Sequence, residues 1–317
     1  MGQRIIVLPE SIANRIAAGE IIERPASVVR ELLDNAIDAG SDRIEIDLEN
    51  GGRNLIRVTD NGIGFAPDSL LLAFERHATS KIKSLEDLDS INTLGFRGEA
   101  LPSIASVARV TVESFSQDSE IGSRLKINGG KVQAVEQVAC SPGTRFTVRN
   151  LFFNTPARKK FLKSVKTEYS HVYETVVDHA VTHRNIHFIL RDNGRTAVDA
   201  PAVDLWSARI AAIFGKKFVA EMIPLENAHP DIRVQGLICH PHYMRSTGRA
   251  QRLYVNGRRI RDRVVTQAIY RGYSQFITGG GHPAYVLQLT LPPDSVDVNV
   301  HPAKSEVRFR DSGTIFN

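Results

Sequence analysis

Short segments that alternate apolar and polar residues outnumber the helical segments that could connect parallel strands. Such alternation is typical of half-buried β-strands, because successive side chains point to opposite faces of a sheet. A doubly wound parallel sheet would need a crossover helix between successive strands. The pattern therefore predicts an α+β fold, with an open mixed sheet and helices on one of its faces. In the first half of the chain the strand-like segments are 44–48, 54–59, 109–113, 124–127 and 144–148.

The length of the chain predicts two domains. It has 317 residues, and a domain usually has roughly 100–200 residues. Asp199-Ala200-Pro201 precedes a predicted helix over 205–214, so we expect domains at residues 1–200 and 201–317. The second domain combines strand-like segments with a predicted helix over 263–276, which together make a smaller α+β unit. Its strand-like segments are 232–238, 252–255, 284–291 and 296–300.

The net charge of +5 conceals an uneven distribution of charge along the chain. Residues 1–100 carry 11 basic and 17 acidic side chains, whereas residues 101–317 carry 29 and 18. A basic portion joined to an acidic one favours a nucleic-acid partner, although a basic surface that faces only water is the alternative. The chain has no apolar run of about 18 residues and no signal-peptide pattern, and its two cysteines are far apart. We expect a cytoplasmic protein with no membrane partner.

A polar stripe follows one side of the predicted helix over residues 25–40. Apolar residues at the i, i+3, i+4, i+7 spacing start at Val29, so the opposite side packs against a core. Glu31, Asn35 and Asp38 form the polar stripe at i, i+4, i+7 spacing. A polar stripe is often only a solvated face. Asn is a poor helix former in the middle of a helix, however, which favours a functional use.

Two glycine-containing loops are candidate binding sites for a phosphorylated ligand. Residues 60–64 (Asp-Asn-Gly-Ile-Gly) follow a strand, where the glycines let backbone approach a ligand and Asp60 can accept a hydrogen bond from an exocyclic amine. The same residues also suit a plain turn. Residues 93–104 form a Gly-rich loop with an Arg that leads into a helix N-terminus, and residues 76–81 supply further hydroxyls and cations. The chain has no Gly-x4-Gly-Lys-Ser/Thr motif, so a nucleotide site here would differ from a P-loop.

These motifs occur in the order found in Bergerat-type ATPases, and the chain resembles the MutL family of mismatch-repair proteins within that group. The resemblance runs nearly from end to end. It implies the amino-terminal ATPase region of such a protein: a Bergerat-type α/β sandwich with an ATP lid, then a smaller α+β domain of ribosomal-protein-like fold. Family members continue into a dimerisation domain, so no nuclease site is expected in this chain. The motifs concerned are 14–25, 76–81, 95–101, 154–158, 254–258 and 296–304.

The resemblance also implies roles for individual residues. Glu31 would be the catalytic base for hydrolysis, and Asn35 would hold Mg²⁺ through its amide oxygen. Asp60 would bind the adenine amino group, with Thr144 beside it. Lys304 of the second domain would contact the γ-phosphate and so distinguish ATP from ADP. The other implied ATP-binding residues are Asp38, Ala39, Gly62, Gly64, Thr79, Ser80, Lys81, Gly95, Phe96, Arg97, Gly98, Glu99, Ala100 and Leu101.

The function implied by the resemblance is a slow, Mg²⁺-dependent ATPase that acts in DNA mismatch repair. ATP would close the lid and drive homodimerisation, and the protein would act as a matchmaker between a MutS-type mismatch-recognition protein and a downstream nuclease or helicase near the bacterial nucleoid. Two basic clusters would bind DNA phosphates without sequence preference and with strong salt dependence. The DNA-binding candidates are Arg158, Lys159 and Lys160 in one cluster and Arg258, Arg261 and Arg263 among the seven arginines between residues 245 and 263.

Three alternatives share parts of this pattern. A topoisomerase ATPase subunit has the same two-domain plan, although residues 154–158 (Asn-Thr-Pro-Ala-Arg) favour the MutL family. A nucleotide-gated clamp would use hydrolysis only as a slow timer. A DNA-binding module without enzyme activity would bind no ATP. His179 and His183 lie at i, i+4 spacing but lack a full set of metal ligands nearby in the sequence, so we do not expect them to bind metal.

Overall fold

Two units make up the fold of this protein, described here from a computed structural model. The first unit comprises residues 1–179 and 185–202, and the second comprises residues 180–184 and 203–317. The chain passes from one unit to the other at residues 179–180, 184–185 and 202–203, and the domain boundary after residue 200 stays a prediction. The structure describes residues 21–75, 78, 98–229, 232–276, 280–292, 295–297 and 308–310.

The first unit contains an eight-stranded mixed sheet with the order β5-β4-β3-β6-β2-β1-β7-β8. All neighbours are antiparallel except β1 and β7, which are parallel. The strands are β1 (Arg43–Glu49), β2 (Leu55–Asp60), β3 (Arg109–Phe115), β4 (Gly122–Asn128), β5 (Lys131–Val138), β6 (Gly143–Arg149), β7 (His187–Asp192) and β8 (Arg195–Ala200). The helices described with them are α1 (Pro25–Asp38), α2 (Pro67–Leu72), α3 (Ala100–Val107), α4 (Pro156–Phe161) and α5 (Val165–Thr182).

Helix α1 forms where the apolar spacing predicts it and packs on strand β2. Pro25 opens the helix, where its missing N–H costs nothing, and Gly40 follows the end with a φ of 73°. Val29, Leu32 and Leu33 are buried on the face turned toward the sheet. The polar stripe lies on the other side of the helix and is only partly buried.

The two faces of the sheet differ in polarity. In β1, Ile44, Ile46 and Leu48 are buried, whereas the alternate residues Glu45 and Asp47 are partly exposed. On this exposed face charged side chains pair across strands, as where the Arg191 guanidinium lies 2.6 Å from the Glu45 carboxylate. That hydrogen bond with Arg191 holds the pKa of Glu45 below its usual value. The predicted sheet with helices on one face is therefore confirmed.

The second unit contains a five-stranded sheet with the order β12-β11-β13-β10-β9, in which only β11 and β13 are parallel. Its apolar core is formed by side chains such as Leu253, Tyr285 and Leu287. The predicted helix over 263–276 ends earlier, at Gly272. The elements are α6 (Trp206–Phe214), α7 (Lys216–Ala220), α8 (Arg263–Gly272), β9 (Met222–His229), β10 (Ile232–Cys239), β11 (Gln251–Val255), β12 (Arg258–Ile260), β13 (Tyr285–Thr290) and a short pair, β14 (Val296–Asp297) with β15 (Arg308–Phe309).

Only part of one predicted strand of the second unit lies among the residues that the structure describes. The predicted strand over 296–300 is observed at 296–297, and its remaining residues lie outside the described ones. Among the described helices, none combines the length and the apolar character needed to cross a membrane.

Candidate functional site

A buried carboxyl group stands at the end of strand β2. Asp60 is 7% exposed, and its Oδ1 accepts hydrogen bonds from the Gly62 backbone N–H at 3.0 Å and from the Ser41 hydroxyl at 3.3 Å. Burial raises the pKa of Asp60, and these two hydrogen bonds oppose that shift. A carboxylate is an acceptor without a hydrogen of its own, so this group suits a ligand that presents an N–H donor.

The Thr144 hydroxyl is oriented by a small network beside Asp60. Thr144 of β6 is paired in register with Asp60, and its Oγ1 lies 2.9 Å from Oγ of Ser114. Ser114 donates its single hydroxyl hydrogen to the Gly143 carbonyl at 3.0 Å and accepts from the Phe65 N–H at 2.8 Å. Thr144 is therefore the donor to Ser114. Its oxygen keeps lone pairs that can accept a hydrogen bond from a ligand.

Two glycines allow the backbone to close around this carboxyl group. Gly143 has a φ of 106°, and a Cβ there would lie 2.1 Å from the Asp60 carbonyl oxygen. Gly64 has a φ of 69°, and a Cβ there would lie 2.4 Å from the Phe115 carbonyl oxygen. Both positions combine a left-handed conformation with a close approach, which only glycine tolerates without strain.

The end of helix α1 is attached to the same loop. The Ile63 N–H donates to the Ala39 carbonyl at 3.1 Å, and the Ser41 hydroxyl shares its single hydrogen between the Ala36 carbonyl at 2.7 Å and Asp60 Oδ1 at 3.3 Å. A Cβ at Gly62 would lie 2.7 Å from the Ala39 carbonyl oxygen, so this residue packs tightly against the helix end. The structure thus joins the helix that carries Glu31, Asn35 and Asp38 to the Asp60 loop.

Part of the predicted lid lies among the described residues. Gly98 has a φ of 61°, and a Cβ there would lie 2.7 Å from the carbonyl oxygen of Ala78, so the two ends of this segment approach each other. Glu99 precedes helix α3, whose first turn contains Ala100 and Leu101. Six predicted lid residues and the predicted phosphate sensor lie outside the described residues: Thr79, Ser80, Lys81, Gly95, Phe96, Arg97 and Lys304.

The predicted DNA-binding residues lie on separate surfaces of the two units. In the first unit, Lys159 and Lys160 are exposed on helix α4 and Arg158 is partly buried. Lys159 also lines a cavity of about 170 Å³ together with Arg53. The amide groups and apolar side chains that complete the lining belong to Asn50, Asn54, Leu151, Leu162 and Val165.

In the second unit, Arg261 and Arg263 are exposed and Arg258 is partly buried on strand β12. Arg252, which the sequence groups with them, is 4% exposed, and its guanidinium lies over the Phe214 ring at 5.1 Å from the centroid. Arg252 is therefore a core residue and does not belong to this basic surface.

Two supporting residues escape sequence reasoning. Ser41 and Ser114 orient Asp60 and Thr144, yet neither stands in a recognisable motif. Their roles depend on strand register and on the position of the α1 terminus, which a local pattern does not reveal. Within the described ranges, no group of three or more His, Cys, Asp and Glu residues could hold a metal ion. A Mg²⁺ site built on Asn35 would need few protein ligands, because Mg²⁺ usually keeps waters and substrate phosphates.

Comparison with known proteins agrees with the two units. Residues 20–153 match the family of histidine kinase-, DNA gyrase B- and HSP90-like ATPases, and residues 210–317 match the C-terminal domain family of DNA mismatch repair proteins. The chain is 50% identical over 309 residues to the DNA mismatch repair protein MutL of Xanthomonas oryzae, covering 97% of this chain and 49% of the relative. The chain belongs to the MutL family of DNA mismatch repair proteins.

Other family members extend this likeness. The MutL of Geobacter sulfurreducens is 47% identical over 318 residues, which are 99% of this chain and 52% of that protein. The chain therefore spans about half the length of the curated relatives it matches.

Solved structures share the fold. One N-terminal domain of a DNA repair protein has a TM-score of 0.80 at 26% identity, covering 96% of this chain and 94% of that one. The ADP complex of the Aquifex aeolicus MutL ATPase domain has a TM-score of 0.66 at 26% identity, covering 86% and 94%. The predicted fold class, a Bergerat-type ATPase domain followed by a smaller α+β domain, is confirmed.

Proposed function

We propose that this chain binds ATP with Mg²⁺ and hydrolyses it slowly as part of a MutL-type mismatch-repair protein. The observation that carries the proposal is the attachment of the Asp60 loop to the end of helix α1. It links a buried acceptor for a base to a helix that carries a carboxylate and an amide. The ADP complex of the related Aquifex aeolicus domain supports a nucleotide as the ligand.

Adenine fits the acceptors near strand β2. Its amino group would donate to Asp60, and the Thr144 oxygen would accept from the same amino group or from a bridging water. Gly62 and Gly64 would let the base approach the backbone closely. Guanine presents a carbonyl oxygen in place of the adenine amino group. The oxygens of Asp60 and Thr144, which are both acceptors, would then face a third acceptor. The site is therefore selective for adenine.

The phosphates and the metal ion fit the polar stripe of helix α1. Asn35 would hold Mg²⁺ through its amide oxygen, and when bound the ion would neutralise charge on the phosphate oxygens. Glu31, one turn earlier on the same side, would orient the attacking water and accept its proton. Asp38 and Ala39 would line the passage between the metal ion and the base.

The lid would complete the site. The backbone N–H groups at Gly98 and at the first turn of helix α3 would bind phosphate oxygens together with Thr79, Lys81 and Arg97, since a helix N-terminus favours anions. Ser80, Gly95, Phe96, Glu99, Ala100 and Leu101 would form the rest of this lining. Lys304 would contact the γ-phosphate. Closure of the lid would drive homodimerisation, as the family resemblance implies.

The ATPase proposal is tested with Glu31→Gln, which keeps the size of the side chain but removes the base. We expect the variant to bind ADP as the wild type does and to release phosphate from ATP with a kcat lower by about 10²–10⁴-fold, the usual contribution of a general base. Glu49→Gln, on an exposed residue of strand β1, is the matched control. Phosphate release by Glu31→Gln at the wild-type rate would contradict the assignment.

DNA binding would use both basic surfaces. On helix α4, Lys159 and Lys160 would contact phosphates, and Arg158 would support them. The adjacent cavity carries the Arg53 and Lys159 cations beside two amides, a combination that suits a backbone phosphate. In the second unit, Arg258, Arg261 and Arg263 would make the corresponding contacts.

Partner recruitment completes the proposed function. A MutS-type protein would load the dimer at a mismatch, and a downstream nuclease or helicase would be recruited in turn. The match of residues 210–317 to a mismatch-repair family favours this role over that of a topoisomerase subunit. Binding of a purified MutS-type protein to the full-length protein, with ATP and with ADP, is the direct test.

A further inference from the structure

A histidine of helix α5 contacts helix α1 on the polar side, next to its proposed catalytic stripe. His179 Nε2 lies 2.9 Å from Oδ1 of Asp34, and the two side chains are 14% and 15% exposed. Asp34 directly precedes Asn35 and lies three residues after Glu31. This contact is therefore made within one turn of both residues to which the proposed function gives the metal ion and the water.

The orientation of the His179 ring is fixed by helix α5 itself. Its Nδ1 lies 2.7 Å from the Thr175 carbonyl oxygen, one turn earlier on the same helix. A carbonyl oxygen only accepts, so Nδ1 carries a hydrogen and donates it. The ring is held at one end by its own helix and meets Asp34 with the other. This arrangement transmits the position of α5 to α1 through two short contacts.

We propose that His179 is a positioning residue for ATP hydrolysis, which through Asp34 sets the rotation of helix α1 and so the placement of Glu31 and Asn35. The inference rests on the proposed ATPase function. Val29, Leu32 and Leu33 fix how deeply the helix sits on the sheet, because they are buried. They lie away from the polar stripe, so a contact on the polar side adds a further restraint on rotation of the helix about its axis. The His179–Asp34 pair restrains that rotation from the polar side.

The test is a double-mutant cycle with Asp34→Ala, His179→Ala and both together, assayed by phosphate release from ATP. Each single change should lower kcat by about ten- to a hundredfold, the effect of a displacement near 1 Å at a reacting centre. The double variant should be no slower than the slower single variant, because the pair acts as one unit. The affinity for ADP without Mg²⁺ should stay near the wild-type value, since Asp60 and Thr144 lie on strands.

Conservative variants separate positioning from general stability. Asp34→Asn keeps the size of the side chain and carries both a donor and an acceptor that can meet His179 Nε2, so it should keep most of the wild-type kcat. His179→Gln places an amide N–H near the position of Nε2 and should recover part of the activity lost in His179→Ala. A role in stability alone would lower the unfolding temperature of the alanine variants and leave kcat of their folded fraction unchanged. That result would overturn the inference.

A second histidine–aspartate pair serves as the matched control. His187 Nε2 lies 2.7 Å from Oδ1 of Asp199 and joins strands β7 and β8 without contacting α1 through this bond. His187→Ala should leave kcat near the wild-type value. An equal loss of kcat in His187→Ala, or fully additive losses in the cycle, would contradict the positioning role.

The proposed function and this inference fail in different ways. A wild-type chain that binds ADP but never hydrolyses ATP contradicts the ATPase proposal. The deciding measurement for His179 is then the gain in ADP affinity on adding Mg²⁺, which depends on the placement of Asn35. Asp34→Ala and His179→Ala should both reduce that gain, and Asp34→Asn should retain it. An unchanged gain in both alanine variants would overturn the inference.

Discussion

The carboxyl group of Asp60 has to meet two opposing demands. It accepts hydrogen bonds best when ionised, yet burial raises its pKa and so favours the neutral acid. The Gly62 N–H and the Ser41 hydroxyl recover part of the cost of ionisation by donating to it. A ligand amino group would add a further donor, so ligand binding and ionisation of Asp60 should support each other.

This coupling predicts how nucleotide affinity depends on pH. As the pH falls through the raised pKa of Asp60, the carboxylate is protonated and ADP affinity should decline, beginning above the ordinary Asp value of 3.8. Asp60→Asn should weaken ADP by about 10- to 100-fold at neutral pH, since a hydrogen bond to a charged group contributes roughly 1.5–3 kcal/mol. Calorimetric titration at several pH values is the measurement. An unchanged acid limb in Asp60→Asn would show that another group is responsible.

Substitution of Asp60 should affect the stability of the fold and the affinity for nucleotide differently. A raised folded-state pKa means that the contribution of Asp60 to stability is present below the unfolded pKa and is lost as the pH rises through the folded one. Above the folded-state pKa, the ionised side chain therefore lowers the free energy of unfolding. Asp60→Asn should unfold at the wild-type temperature or above it in the absence of nucleotide, which thermal denaturation can check. Marked destabilisation at neutral pH would contradict this sign.

At the site, Asp-x-Gly-x-Gly after a strand makes Asp60 a candidate, whereas Thr144 is a candidate only through the family resemblance. Ser114 was not predictable, since its role follows from the pairing of β3 with β6 and not from its neighbours in sequence. In the sequence, His179 stands out only by its i, i+4 spacing from His183, which is a spacing found in metal sites. Its partner, Asp34, lies 145 positions away, and no local spacing connects the two.

Helix α1 is the element that most needs a fixed position, because it would carry both the catalytic base and the metal ligand. Its buried side chains fill the space above β2, and Leu33 has no exposed surface. Shortening such a side chain removes apolar contacts and leaves a cavity beneath the helix. Stability and catalysis should therefore both respond to changes on this buried face.

Leu33→Ala should lower the free energy of unfolding by about 2–5 kcal/mol, the usual cost of a large-to-small change in a core. Leu72→Ala, at a position that is 58% exposed on α2, is the control and should change it by less than about 0.5 kcal/mol. Urea denaturation followed by circular dichroism measures both. Equal effects at the two positions would mean that α1 is not anchored by its apolar face.

Among the elements, the alternation of apolar and polar residues predicted the half-buried strands well, but it did not identify two other kinds of strand. Strand β5 lies at the sheet edge, and its side chains are all at least partly exposed, so no burial pattern shaped its sequence. Strand β7 has three consecutive buried residues, 188–190, which removes the period of two. Helix α8 was predicted four residues too long because residues 273–276 lack a strong helix-breaking residue. Tyr273, the first residue after the helix, donates its hydroxyl hydrogen to the Cys239 carbonyl within the second unit.

Across the whole molecule, the charge imbalance between the first hundred residues and the remainder has two structural sources. Part of the basic charge lies on α4 of the first unit and part beside β12 of the second, so DNA binding should draw on both units. Neutralised phosphates release counterions, and the slope of log affinity against log salt concentration changes by about 0.9 for each contact with duplex DNA. Length and composition predicted the two-domain plan, but only burial showed that Arg252 is not part of the basic surface.

The paired variants Lys159→Glu/Lys160→Glu and Arg261→Glu/Arg263→Glu should each weaken duplex binding and make that slope shallower by roughly one to two. The control Lys131→Glu/Arg195→Glu makes the same change in net charge at exposed positions outside both clusters. Fluorescence anisotropy with one duplex at several salt concentrations gives the slopes. Identical slopes in all three variants would mean that net charge, and not these surfaces, governs binding.

The parallel pairing of β1 with β7 limits how early the sheet can be completed during synthesis on the ribosome. β1 can pair with β2 as soon as both emerge, but its other edge must wait for residues 187–192. At roughly 5–20 residues per second, synthesis of the intervening chain takes on the order of ten seconds. During that interval an apolar strand edge lies open to other nascent chains, which is the hazard that chaperones counter. The β1–β2 pair can therefore form early, whereas β6 with Thr144, and then β7, join it only late in synthesis.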